Sequence, residues 1–200
     1  MNFVFDLDDT ISATDAYSEE YIRDFFAEHN WPYSQIATDV RFAEAKFDWD
    51  NETALKWYKE YGDQMMAEFP CLPNVKEVMA KLRKDGHKVI IATARATDWH
   101  TDPAGVTIKW LEDAGIKYDN IYIGRIDKEK ICEEENADVF VDDDIKIVSK
   151  VAEYFKGKSG KHVFLSTTRY NKNLEVPSGV TRIKDFKEML DVLNSDSELL

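Results

Sequence analysis

The chain has 200 residues, with 26 Lys and Arg against 39 Asp and Glu and a formal net charge of −13. That length fits one domain, or one domain with a sizeable insertion, and a hydrophobic fraction of 44% argues against disorder away from the ends. The acidic balance argues against a polynucleotide-binding surface, which needs Lys and Arg to neutralise phosphates, but a small phosphorylated ligand stays open because a metal ion and a few local cations can dominate a cleft.

Cys71 and Cys132 are the only cysteines and have no metal-ligand or CxxC spacing, so no disulfide framework is expected. Met1 leads straight into an apolar run without a basic leader, and no stretch is long enough to span a bilayer, so the expectation is a soluble, cytoplasmic protein with no membrane partner.

Phe3-Val4-Phe5 predicts a short buried strand, and period-2 alternation then sends Asp6 and Asp8 the same way and turns Leu7 inward. Tyr17, Tyr21, Ile22, Phe25 and Phe26 form a helical stripe that ends at Trp31-Pro32. A second helix is expected with Asn51 as N-cap and an apolar face of Ala54, Leu55, Tyr58, Tyr61 and Met65. Residues 33–50 between them are mixed, with Phe42, Phe47 and Trp49 among charges.

From Pro73 the pattern changes. Val75, Val78, Met79 and Leu82 mark a helix closed by Gly86, and Lys88 to Thr93 reads as a β-branched strand. A helix over 104–114, a strand at Ile121–Ile123, and a helix capped by Asp127 and running to about 136 follow. Asp138–Asp142, a helix through Val148, Val151, Ala152 and Phe155, strands at His162–Ser166 and Val180–Ile183, and a final helix at Phe186–Leu190 complete the order. Strands alternating with helices predict an α/β fold, a Rossmann-like parallel sheet flanked by helices. Residues 1–11 and 73–194 would form that core, residues 12–72 a small helical cap inserted after strand 1, and residues 195–200 a frayed tail.

Parallel sheets bind ligands beyond the carboxyl ends of their strands. Those ends carry Asp6 and Asp8, then Thr93, then Asp142, Asp143 and Asp144, with Lys128 and Lys130 at the start of the preceding helix. A carboxylate nucleophile can accept a phosphoryl group, a second carboxyl can protonate the leaving oxygen, and clustered carboxylates can hold Mg²⁺. A hydroxyl and a lysine can bind the remaining phosphate oxygens. The bland alternatives are turn carboxylates, a helix N-cap within 142–144, and solvated lysines.

Asp6-Leu7-Asp8-Asp9-Thr10, Val89–Thr93, Lys128 and Val139-Phe-Val-Asp142-Asp143 together resemble the four motifs of the haloacid dehalogenase superfamily of phosphohydrolases. The resemblance implies an Mg²⁺-dependent phosphomonoester hydrolase working through an aspartyl phosphate. It implies Asp6 as nucleophile and metal ligand, and Asp8 as general acid/base that also offers its backbone carbonyl to the metal. Thr93 and Lys128 (or Lys130 in its place) would bind phosphate, and Asp142 and Asp143 would complete the metal site, either one touching the ion. Thr93-Ala-Arg95, Pro103, Trp110-Leu111, Tyr118-Asp119, Phe164-Leu-Ser166, Tyr170-Asn171 and Thr181-Arg-Ile183 are similar to the cytosolic, deoxy-type 5′-nucleotidase family (type C). That similarity implies a nucleoside monophosphate substrate. A sugar phosphate or another small ester is the alternative, and a non-catalytic binding protein of the same fold is the rival from another class.

Arg95 is either a phosphate clamp or the partner of an acidic neighbour. Phe47 and Trp49 are candidates to stack on a base, against the alternative of core packing within the cap. Asp9 is expected at solvent or a helix N-terminus, Thr10 in local backbone bonding, and His29, His87, His100 and His162 in structural or surface roles.

Overall fold

In the computed structural model, which describes residues 1–197, the alternation Phe3-Val4-Phe5 sets the layering. Phe3 and Phe5 join the apolar cluster on one side of a sheet and Val4 the cluster on the other, as neighbouring strand residues must. Six strands make up the sheet: β1 (Asn2–Phe5), β2 (Lys88–Thr93), β3 (Asn120–Ile123), β4 (Val139–Asp142), β5 (His162–Ser166) and β6 (Val180–Ile183). All pair in parallel, in the order β3-β2-β1-β4-β5-β6.

The helices are α1 (Thr14–Glu28), α2 (Ala43–Phe47), α3 (Asn51–Glu68), α4 (Val75–Lys84), α5 (Pro103–Ala114), α6 (Lys128–Glu134), α7 (Ile145–Phe155) and α8 (Phe186–Ser197). Val78 of α4, Leu111 of α5 and Met189 of α8 pack with Phe3, Phe5, Val89 and Val141 on one face. Ile131 of α6 and Val148 and Val151 of α7 pack with Val4, Ile90 and Phe140 on the other. Both faces are covered, which is why the central strands are continuously apolar instead of alternating with polar residues.

The strand order places the reversal of winding beside β1, whose two neighbours are β2 and β4. A crevice opens outside the carboxyl ends of the strands at such a reversal. Asp6 follows β1 directly, and Asp142 ends β4 with Asp143 next to it, so the acidic residues meet at the one place where the topology leaves a gap.

Helices α1 to α3 have a core of their own, built from Ile22, Phe25, Phe26, Phe47, Trp57, Met65 and Phe69. The chain leaves and re-enters the sheet through two linkers lying side by side. Leu72 N–H donates to Ile11 O at 2.8 Å, and Ala13 N–H to Pro70 O at 2.8 Å. In α3, a side chain at Gly62 would collide with the His100 ring, so the glycine lets this helix seat on the loop after β2.

Three local expectations are revised. Residues 43–47 form the short helix α2, which the mixed composition of 33–50 does not announce. The N-cap of α3 is Asp50, whose carboxylate accepts from Thr53 N–H at 2.8 Å, and Asn51 is the first helical residue. Helix α8 continues through Ser197, so 195–197 extend a helix where a frayed tail was expected; 198–200 lie outside the described residues. Both cysteines are free, and no helix among the described residues is long and apolar enough to cross a membrane.

The loop after β5 is tied down by Asn171, which is 1% exposed. Its amide donates to Ser166 O at 2.7 Å and Asp143 O at 2.9 Å, and its oxygen accepts from Thr168 N–H and Arg182. Asn171→Ala leaves those buried groups without partners, a loss of about 1–3 kcal/mol or more, because each orphaned group costs its own desolvation. Urea unfolding should show a lower midpoint at unchanged slope; an unaltered midpoint would mean that the loop does not need this tie.

Candidate active site

The turn after β1 is a tight loop fixed by its own backbone. Ile11 and Ser12 N–H both donate to Leu7 O, and Asp9 takes a left-handed conformation with φ 57°. Leu7 is fully buried in the core, so Asp6 and Asp8 emerge together on the other side, as the alternation requires.

Asp6, Asp142 and Asp143 converge: one carboxylate oxygen from each lies within 4.8 Å of the others, and all three residues are buried. Lys128, at the start of α6 and 1% exposed, places Nζ 2.6 Å from Asp6 Oδ1 and 4.0 Å from Asp142 Oδ2, and also donates to Ala92 O. Burial works against its charge, but Asp6 and Asp142 outweigh that and raise its pKa, so the ammonium is kept. Lys130 is exposed; Asp127 caps α6 through Lys130 N–H and thereby turns Lys128 inward.

Two oxygens in this cluster, Asp142 Oδ2 and Asp143 Oδ1, are buried with no hydrogen-bond partner. Burial and the charge of Asp6 push the Asp142 carboxyl up from 3.8 to about 8. Burial also drives Asp143 well above the carboxylate range, against the pull of Arg41. Buried, unpartnered carboxylate oxygens so close together fit a hard divalent cation, which takes oxygen ligands and removes the repulsion. Asp144 has a different part: it is the N-cap of α7, accepting from Lys146 N–H at 2.8 Å.

Thr93 is 1% exposed at the end of β2, and its hydroxyl oxygen accepts from Arg95 N–H at 3.3 Å. Arg95 is not free to clamp a phosphate. Its guanidinium forks onto Asp8 (Nε to Oδ2 3.0 Å, NH2 to Oδ1 2.7 Å) and donates to Thr107 at 3.1 Å, so the acidic-partner alternative is the one realised. Burial would raise the Asp8 carboxyl, but Arg95 and the Thr14 hydroxyl, 2.7 Å away, hold it at about 2.

Phe47 and Trp49 do not face Asp8. Phe47 is 6% exposed in the core of α1–α3, and Trp49 stacks among Phe25, Phe26, Phe47 and Trp57. The mixed pattern of 33–50 does not tell which way such rings face. The residues that do face Asp8 surround a cavity of about 370 Å³ and include Arg41, Glu44, Tyr58, Met65 and His100.

Several contributors carry no local signal in the sequence. Arg41 reaches from the segment before α2 to Asp144 (2.6 Å) and Asp143 (3.3 Å). The Tyr170 hydroxyl bridges Asp143 and Asp9. Asp9 accepts Asp15 N–H in the first turn of α1, the helix-terminus position anticipated for it, though buried. Lys46 is buried and paired with Asp15, which Arg169 also holds. The Thr10 backbone bonds to Leu7 O, but its buried hydroxyl has no partner.

No protein-family model and no curated protein sequence matches the chain. Solved structures do. A Thermotoga maritima protein assigned as a β-phosphoglucomutase aligns over 97% of this chain and 98% of its own, at 16% identity and a TM-score of 0.66. A Bacillus subtilis protein assigned as a HAD-hydrolase and bound to magnesium aligns over 96% and 98%, at 16% identity and a TM-score of 0.61. D,D-heptose 1,7-bisphosphate phosphatase from Burkholderia thailandensis aligns over 96% and 97%, at 16% identity and a TM-score of 0.57. At these identities the likeness is one of fold: a haloacid dehalogenase-like, Rossmann-type α/β architecture.

The acidic cluster has a measurable consequence. Asp142 ionises at 3.8 in an unfolded chain and at about 8 in the fold, so between those values the folded protein holds the extra proton. Stability of the metal-free protein should therefore fall as pH rises from about 4 to 8. Millimolar Mg²⁺ should flatten that slope in thermal melts, and Asp142→Asn should lessen it without metal, Asp143 keeping the rest. A chelated wild-type protein whose melting temperature rises steadily across this range would contradict the assignment.

Proposed function

We propose that this protein is an Mg²⁺-dependent phosphomonoester hydrolase, with residues 1–11 and 73–194 as the catalytic core and 12–72 as its cap. The observation that carries the reading is the meeting of Asp6, Asp142 and Asp143 beside the Lys128 ammonium. When bound by those three carboxylates, the cation would neutralise charge developing on the phosphoryl oxygens. Asp6 attacks phosphorus, the P–O ester bond breaks, and the leaving alkoxide takes a proton from Asp8. Water then attacks the phosphoryl group on Asp6, loses its proton to Asp8, and releases phosphate.

Lys128 and the Thr93 hydroxyl hold phosphoryl oxygens, a division that leaves Arg95 to set the charge of Asp8. In the Arg95 fork Asp8 is ionised, the form needed of the base in the second step. To act first as an acid it must take up a proton, which an arriving phosphate dianion favours. The cap limits water on the leaving-group side.

The substrate is a small phosphate ester. The neighbours' names point to phosphorylated sugars, as in the heptose bisphosphate phosphatase and a CbbY protein from Rhodobacter sphaeroides in complex with xylulose-1,5-bisphosphate. They lend no support to the nucleoside monophosphate implied by the 5′-nucleotidase resemblance, so the sugar-phosphate class is the better founded of the two.

Asp6→Asn should abolish phosphate release from every ester hydrolysed by the wild type, and a cooperative thermal melt should show that the variant still folds. Asp8→Asn should slow turnover by about 10²–10⁴-fold, least for esters with acidic leaving groups such as p-nitrophenyl phosphate. Turnover by Asp6→Asn at the wild-type rate would overturn the covalent mechanism.

A further inference from the structure

Glu44 stands apart from the other charged groups around the cavity above Asp8. Asp8 is paired with Arg95, Asp15 with Lys46 and Arg169, and Arg41 with Asp143 and Asp144. Asp9 accepts from Tyr170 and from Asp15 N–H. Glu44 has no such partner: its Oε2 is buried and accepts no hydrogen bond from any described residue. A carboxylate left in this condition lacks a counter-charge.

The walls around it suit one kind of counter-charge. Trp57, Tyr58 and Trp99 line the same cavity, and aromatic rings attract cations; Phe42 lines it too, with the Arg41 guanidinium over its ring at 5.3 Å. Phe42 and Trp99 remain 50% and 43% exposed. Trp57 Nε1 and His100 Nδ1 are also buried without partners, the latter against Gly62 of α3.

We propose that the leaving group of the substrate carries a positively charged nitrogen, held at Glu44 within these aromatic walls. The substrate is then an aminated small phosphate ester, an amino alcohol or amino sugar phosphate, with its dianion at Lys128 and its cation at Glu44. This rests on the hydrolase reading above and narrows it.

Matched esters that differ only in amine against hydroxyl test it. Phosphate release would be measured with Mg²⁺ for glucosamine 6-phosphate against glucose 6-phosphate, for phosphoethanolamine against 2-hydroxyethyl phosphate, and for p-nitrophenyl phosphate. The wild type should favour at least one amine over its hydroxyl partner by about tenfold or more in kcat/KM, mainly through KM. Glu44→Gln should bring that ratio close to one, and Glu44→Asp should retain part of it; melting temperatures check that both variants fold. A wild type that prefers the hydroxyl members, or a preference that survives Glu44→Gln, overturns the proposal while hydrolysis of p-nitrophenyl phosphate leaves the hydrolase reading standing. Failure to release phosphate from any of the five esters overturns both.

Discussion

Like charges brought together in a dry crevice repel, and that repulsion is the constraint on which the rest of this structure depends. Carboxylate oxygens no more than 4.8 Å apart repel by at least about 3 kcal/mol per pair at an effective dielectric of 20. Lys128 and Arg41 offset part of this, each from a buried or half-buried position, and leave two oxygens without partners. Burial first, and this repulsion after it, raise the ionisation of Asp142 and Asp143. In the proposed function, a cation and an anionic substrate complete the arrangement.

The inserted helices are joined to that cluster by charge as well as by chain. Arg41 leans on Asp143 and Asp144, Lys46 is buried against Asp15, and the linkers at 11–13 and 70–72 lie hydrogen-bonded to each other. Moving α1–α3 away from the sheet would break the Arg41 contacts and expose the acidic cluster to water. In the proposed function this couples the state of the cap to the electrostatics of the phosphate site, because the same arginine serves both.

What the sequence made legible was what short-range pattern encodes. The runs Val89–Ala92 and Val139–Val141 could only be buried strands, and carboxylates directly after such strands had to lie at the sheet's ligand-binding edge. Lys128 and Lys130 both remained candidates in the sequence, and only the fold separates them, by burying Lys128 and leaving Lys130 exposed. Helix α2 was hidden because five residues cannot display a period, and Asp50 and Asn51 are chemically equivalent as caps.

Long-range pairings escaped for a different reason. Arg95 finds Asp8 across 87 positions and Tyr170 finds Asp143 across 27, and no local rule distinguishes those partners from other acidic residues nearby. Phe47 and Trp49 were open between stacking on a base and packing within the cap, and their place in the core of α1–α3 follows from how those helices come together. The roles expected of Asp6, Asp8 and Lys128 came from resemblance to known motifs; the structure brings Asp6 and Lys128 into contact and pairs Asp8 with Arg95. The most direct test of the central claim is anomalous diffraction from crystals grown with manganese: the expected peak lies among the carboxylates of Asp6, Asp142 and Asp143, and crystals fully exposed to the metal that show no peak there, or one only at surface acids, would contradict it.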